Sequence, residues 1–250
     1  MGTLMTSLHI ATYNIHKGFS HFNRRMVLHD LRDRLRELNA DIVFLQEVQG
    51  ENIRDALRHH NYPAQPQHEF LADKIWPHHA YGKNAVYDDG HHGNAILSRY
   101  PIARWDNQDI SAHRFENRGL LHCEIELPET GRSLHCICVH FGLSARGRGV
   151  QFKALVERIK QMVPADAPLI VAGDFNDWRN LARSLLAQEL QLHEVHEASH
   201  GRLARSYPAG MPLLRMDRIY VRGMEIRRCN VHAWRKVSDH AALSTVLALP

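Results

Sequence analysis

The sequence predicts an α/β chain in which two packed mixed β-sheets carry helices on their outer sides. Three observations lead there. Short apolar runs bounded by turn residues recur along the chain, as in Ile42-Val43-Phe44-Leu45 and Leu169-Ile170-Val171-Ala172-Gly173, and read as strands buried on both faces. Between such runs the apolar spacing becomes helical, with Leu28, Leu31, Leu35 and Leu38 in one stretch and Phe152, Leu155, Val156, Ile159 and Val163 in another. A hairpin signal, Arg118 to Leu127 and Leu134 to His140 around the turn Pro128-Glu129-Thr130-Gly131-Arg132, adds antiparallel pairing. Helices and antiparallel strands so interleaved argue against a simple doubly wound parallel sheet.

The elements follow in order. Leu8 to Ile15 reads as the first strand, with Asn14 and His16 on one face at its end. A helix from Arg24 to Leu38 stops at Asn39-Ala40-Asp41, and Ile42 to Leu45 is a second strand closed by Gln46-Glu47-Val48. Such a β-α-β unit places Asn14 and Glu47 at neighbouring strand ends. A glutamate behind four apolar residues is costly to bury unless paired or bound to a metal; the alternative is that Glu47 already lies in a solvated loop. Residues 51–60 suggest a short helix, and 61–80, with Pro63, Pro66 and Pro77, an irregular segment. Gly93 to Arg99 is a strand stopped by Tyr100-Pro101. In the hairpin, Leu134, Cys136, Cys138 and His140 share a face, and a histidine so placed is more often structural than catalytic. The strand Leu169–Gly173 runs into Asp174-Phe175-Asn176-Asp177. If the chain stays extended there, Asp174 and Asn176 project to the same side; otherwise they satisfy a turn. Leu181 to Leu190 reads as a helix, and Met216–Val221, Cys229–Trp234 and Ala241–Leu247 as strands, with Val237-Ser238-Asp239-His240 before the last.

No linker or charge block divides the 250 residues, which are read as one domain, 1–250. There is no apolar run long enough to span a membrane and no secretory signal pattern at the N-terminus. The cysteines, Cys123, Cys136, Cys138 and Cys229, form no C-x-x-C and are expected as buried thiols in a cytoplasmic protein. A net charge of +4 and a pI near 9.0 lean towards anionic partners, although both signs are interleaved. The 20 histidines show no H-E-x-x-H or finger spacing, so no zinc site is read.

The strand-end groups Asn14, Glu47, His140, Asp174 with Asn176, Asp217 and Asp239-His240 lie in the pieces TYNIHKG, FLQEV, VHFGL, GDFND, MDRIYV and SDHAAL, with GNAILSRYP between. In this order, over residues 12–243, they resemble the endonuclease/exonuclease/phosphatase superfamily. The resemblance implies a four-layer α/β/β/α sandwich and divalent-metal-dependent hydrolysis of a phosphoester, with Mg²⁺ expected and Mn²⁺ as a substitute. It implies Glu47 as metal ligand with Asn14 beside it and Asp239 contributing. Asp174 would orient or deprotonate the attacking water, and Asn176 would position it or bind phosphate. His240 would act on a phosphoryl oxygen or as an acid, held by Asp217, and His140 resembles a second acid. Asn94 and Arg118 are weaker candidates for phosphate contact. His16 departs from the acidic residue common in the abasic-site branch. Phosphoester chemistry suits such a set, because an anionic ester needs charge neutralisation, an activated water and a stabilised leaving oxygen. A nucleic-acid or nucleotide phosphodiester is the favoured substrate, with Arg24, Arg25, Arg118, Arg146 and Arg148 placed to border the cleft, although no aromatic–basic stripe is evident. The runner-up is a lipid headgroup or sugar phosphate, with residues 61–81, including Trp76 and Tyr81, as a surface-binding arm; a binding module without catalysis is third.

Overall fold

The protein is described by a computed structural model covering residues 7–20, 25–128, 131–180 and 182–249. Arg24, Glu129, Thr130 and Leu181, which the sequence reading placed at element ends or in a turn, lie outside the described residues.

The strands are β1 (Ser7–Asn14), β2 (Ile42–Asn52), β3 (His78–Tyr87), β4 (Gly90–Ser98), β5 (Ile102–Asp109), β6 (Gly119–Leu127), β7 (Arg132–His140), β8 (Leu169–Asp174), β9 (His193–Glu194), β10 (Asp217–Arg222), β11 (Glu225–His232) and β12 (Ala242–Ala248). They form two six-stranded sheets, ordered β11-β12-β1-β2-β4-β3 and β5-β6-β7-β8-β10-β9. Each sheet has a parallel pair near its centre, β1 with β2 and β7 with β8, and antiparallel neighbours outside it. The sheets face each other through one apolar core in which Ile10, Phe44 and Leu243 of one meet Cys136, Ile170 and Ile219 of the other. The alternating side chains of the same strands point outward, as a period of two requires.

Helices cover those outer faces. The buried stripe Leu28, Leu31, Leu35 and Leu38 of α1 (Leu28–Leu38) packs with Val43 and Leu45 of β2, and Asn39, left-handed at φ 53°, ends the helix. On the other sheet, Phe152, Leu155 and Ile159 of α4 (Ala145–Met162) pack with Val139, Val171 and Phe175; the Ser144 hydroxyl caps this helix by accepting from the Gly147 amide. The short helices are α2 (Ile53–Arg58), α3 (Gln67–Ala72), α5 (Ala182–Leu190) and α6 (Val195–His200). The result is the four-layer sandwich expected from the resemblance.

Three expectations change. Residues 61–80 are not simply irregular: α3 lies inside the segment and β3 begins at His78. Trp76 is fully buried and donates from its indole nitrogen to the Ala40 carbonyl, while Tyr81 is half-buried and stacks on His68, so neither forms a lipid-binding arm. Glu47 is not at the end of a strand. β2 continues to Asn52, and its register against β4 shifts between Leu45 and Val48 around Glu47, whose φ is +56°. This bulge carries Glu47 out of the alternation of its strand. Among the described residues no helix is long and apolar enough to cross a membrane.

Candidate active site

The topology collects polar groups at one end of the two parallel pairs. In the second sheet, Asp174 ends β8 directly opposite His140, the last residue of β7, and opposite Asp217, the first of β10. In the first sheet Asn14 ends β1 beside Gln46, one residue before Glu47. The 238–240 turn closes the end: the Ser238 hydroxyl donates to the Asn14 carbonyl at 2.7 Å and accepts from the His240 amide at 3.2 Å.

Asn14 ties the two sheets. Its Nδ2 donates to Glu47 Oε1 at 3.1 Å and to Asp174 Oδ2 at 3.2 Å, while its Oδ1 accepts from the His16 amide at 3.1 Å. The amide thus turns its nitrogen, not its oxygen, towards the carboxylates. His240 Nδ1 lies 2.8 Å from Asp217 Oδ2, and its Nε2 lies 3.9 Å from Asp174 Oδ2. His140 Nε2 is 3.6 Å from the same Asp174 oxygen, which supplies the carboxylate partner that the sequence did not reveal. Asp217 is itself seated by the Ser206 hydroxyl, which accepts from its amide at 3.1 Å. Asp239 Oδ1 lies 3.3 Å from His16 Nδ1, so the residue that departs from the abasic-site pattern faces another member of the set.

Asn176 is not extended: its φ is +48°, its amide donates to Asp174 Oδ1 at 2.9 Å, and its Nδ2 donates to the Phe141 carbonyl at 2.9 Å. It holds Asp174 and the end of β7 rather than projecting alongside Asp174. Asn94 is buried between the sheets, donating to the carbonyls of Gly119 at 3.0 Å and Cys138 at 3.4 Å. Arg148 is buried as well, donating to the carbonyls of Gly142 and Leu143 below the Trp178 ring, and does not border the cleft; Arg25 is exposed against Asp30 and Arg146 is exposed on α4. Arg118 is half-buried on the wall of an open cavity of about 400 Å³, with Tyr87, His92, Phe115 and Leu143. These rings come from β3, β4 and the 113–116 loop, and together they form the aromatic and basic surface that no single stretch of sequence displayed.

The environments drive the titratable groups apart. Burial acts to raise the Glu47 carboxyl, but its polar surroundings, among them Lys17 and the Asn14 amide, outweigh it and hold the group down at about 2. Burial raises Asp174 well above the usual carboxylate range and the nearby Asp217 adds to this, against the opposing pull of His240 and the two asparagine contacts. Burial acts to lower His240, yet the charge and hydrogen bond of Asp217, with Asp174 and Asp239, push it up to about 10. His140 is held well below the ordinary imidazole range by burial, with Arg118, His240 and His92 adding and Glu47 opposing. The site therefore contains an anionic carboxylate, a carboxyl poised nearer neutrality, an imidazolium and a neutral imidazole.

Residues 11–240 match the sequence profile of the endonuclease/exonuclease/phosphatase family. The chain belongs to this family. Members of the endonuclease/exonuclease/phosphatase family hydrolyse phosphoester bonds and generally depend on a divalent metal. The chain is 46% identical over 250 residues to the uncharacterized protein YbhP of Escherichia coli (strain K12), covering 99% of this chain and 98% of that one. Among solved structures, D. rerio TDP2 in complex with a single-strand DNA product superposes with a TM-score of 0.70 at 19% identity, over 97% of this chain and 99% of that chain. A mannosyl-6-phosphatase of Bacteroides thetaiotaomicron VPI-5482 gives a TM-score of 0.72 at 16% identity, over 96% and 99%.

The donors fit the divalent metal of the family. Glu47 is a half-buried carboxylate held anionic, which suits a hard cation that takes one or two carboxylates and keeps waters and substrate oxygens. Ligand atoms of Asp174, Asp217 and His240 also lie within 4.8 Å of one another, but there the 2.8 Å contact is a hydrogen bond from imidazole to carboxylate.

Proposed function

We propose that this protein is a Mg²⁺-dependent phosphodiesterase, with Mn²⁺ an effective substitute, that cleaves nucleic-acid or nucleotide phosphodiesters by attack of water on phosphorus. The observation that carries this reading is the shared contact at Asp174 Oδ2, where Asn14, His140 and His240 converge from both sheets.

Asp174, raised by burial, is the group to take the proton from the attacking water. His240, protonated and fixed by Asp217, donates from Nε2 to a phosphoryl oxygen as charge develops. His140, kept neutral, orients an oxygen of the phosphoryl group by hydrogen bonding and is poorly suited to be a second acid. Glu47 would hold the cation, with Asp239 contributing. The cation would neutralise phosphoryl oxygens and stabilise the leaving alkoxide. Asn14, whose amide nitrogen reaches both carboxylates, positions Glu47 and Asp174 beside the cation. Asn176 fixes Asp174.

The cavity beside this cluster supports a nucleic-acid substrate. Tyr87 and Phe115, 53% and 78% exposed, offer faces for stacking bases, and Arg118 offers a cation for phosphate. Purified protein with Mg²⁺ at low salt, given single-stranded DNA, RNA, a sugar 6-phosphate and a phospholipid, is the test. Nucleic acid should be cut, the rate should fall as salt rises, and EDTA should stop it. Intact DNA and RNA beside a hydrolysed sugar phosphate or phospholipid would replace this reading with the runner-up.

A further inference from the structure

A second cluster of metal-ligating groups lies apart from the phosphoester site and shares no residue with it. His196 and His200 are one turn apart on α6, with rings 5.7 Å centroid to centroid and 25° between planes. Cys229, a free cysteine on β11, brings its sulfur to 3.4 Å from His200 Nδ1. One ligand atom from each of the three residues falls within 4.8 Å of the others. Tetrahedral zinc with Zn–N near 2.1 Å and Zn–S near 2.3 Å separates a nitrogen and a sulfur ligand by about 3.6 Å. The Cys229–His200 edge already has that length, and the widest separation needs only about 1 Å of closure.

An independent feature points the same way. His196 is 5% exposed and its Nε2 is buried with no hydrogen-bond partner. Its ring hydrogen-bonds the Asn230 backbone. With Nε2 unpartnered, that bond belongs to Nδ1, which donates its proton to the carbonyl. A backbone acceptor on one ring nitrogen fixes the tautomer that presents the other as a lone pair, as around metal-ligating histidines. A buried lone pair without a partner is costly, and a cation satisfies it. The cluster opens to a cavity of about 580 Å³ also lined by Arg202, Arg205 and Arg215, and His200 is exposed, which provides an entry path. The arginines disfavour a bare cation but suit one whose charge is offset by a thiolate and an anionic fourth ligand.

We propose that His196, His200 and Cys229 form a binding site for a thiophilic divalent cation of the zinc type, with water or a small anion as fourth ligand from the cavity. Binding releases the Cys229 thiol proton to solvent and joins α6 to β11.

The test uses the full chain, stripped with EDTA and titrated with Co²⁺ alone. One equivalent should give the near-ultraviolet thiolate-to-cobalt charge-transfer band and the intense visible bands of tetrahedral cobalt, and Zn²⁺ should displace both. Cys229→Ser should abolish the charge-transfer band and weaken Zn²⁺ binding by roughly 100-fold or more, since even changes around a ligand cost 10–100-fold. Because Cys229 is buried, His200→Ala at an exposed position repeats the affinity test without touching the core, and His60→Ala, an exposed histidine outside the cluster, should change nothing. A wild-type protein with no charge-transfer band, or Zn²⁺ affinity unchanged in both Cys229→Ser and His200→Ala, would overturn the proposal.

Discussion

Asp217 and His240 show how a single contact sets chemistry. The Asp217 charge and its 2.8 Å hydrogen bond, with Asp174 and Asp239, lift the imidazole to about 10 against the effect of burial, so the ring remains a donor throughout the neutral range. His240→Ala should lose roughly 10²–10⁴-fold in kcat, the usual contribution of a positioned acid–base group. Asp217→Asn removes the negative charge, so the His240 pKa should fall towards 6.5. Activity that needs the protonated ring is present below its pKa and lost above it, so the alkaline limb of the kcat profile should move to lower pH in Asp217→Asn. An unmoved limb would separate the pair from catalysis. At this scale the sequence was legible where a polar residue ended an apolar run, as at Asn14, His140 and Asp174, or opened a strand, as at Asp217. It was not legible where side-chain partners decide the role. Nothing local distinguishes Arg148, which holds the Gly142 and Leu143 carbonyls, from the exposed Arg146 two residues earlier. Nothing local shows that Asn94 spends its amide on two buried carbonyls.

At the scale of elements, β8 is the axis of the site, because its last residue faces β7 on one side and β10 on the other. Its Gly173 has φ +146°, and a Cβ there would come within 2.0 Å of the Val139 carbonyl oxygen, a backbone atom that cannot swing away. Gly173→Ala should lower stability by about 2–4 kcal/mol, roughly 5–15 °C in Tm, and reduce kcat because Asp174 is the next residue. A Tm within a degree of wild type would show that β7 and β8 adapt more readily than this. The strands that escaped sequence reading have physical reasons for doing so. β5 is an edge strand with mostly exposed residues and little apolar alternation, and β3 follows directly on Pro77. The bulge at Glu47 was hidden because positive φ at a glutamate carries no compositional mark, unlike a glycine.

Across the whole molecule, the many histidines are used more to build the fold than to bind. His68 stacks on Tyr81, and His122 contacts His135 at 3.0 Å between nitrogens, with both first-named rings buried. Burial foremost, with neighbouring histidines and, for His122, Arg158, pushes each of these two down to about 4 from the ordinary 6.5. Between those values the unfolded chain holds protons that these two folded rings refuse, so their contribution to stability is complete above pH 6.5 and declines as pH falls towards 4. Each ring contributes up to about 3 kcal/mol to that loss. Denaturant unfolding at pH 7.5, 6 and 5 should show a falling midpoint, and His122→Phe should flatten the decline; a midpoint independent of pH would contradict the assignment. The sandwich itself was legible because buried strands and amphipathic helices announce themselves locally. The rim of Tyr87, His92, Phe115 and Arg118 was not, since it is assembled from segments that only the packed sheets bring together.

The proposed role of Glu47 is to hold the divalent metal with which this family cleaves phosphoesters. It is tested most directly by Mg²⁺-dependent hydrolysis of a phosphodiester by the wild type and by Glu47→Gln, which keeps the side-chain shape and removes the charge. With the fold verified by circular dichroism, kcat/KM should fall by about three orders of magnitude or more and the Mg²⁺ concentration for half-maximal rate should rise. A Glu47→Gln protein as active as the wild type, or a wild type fully active in EDTA, would rule out that role.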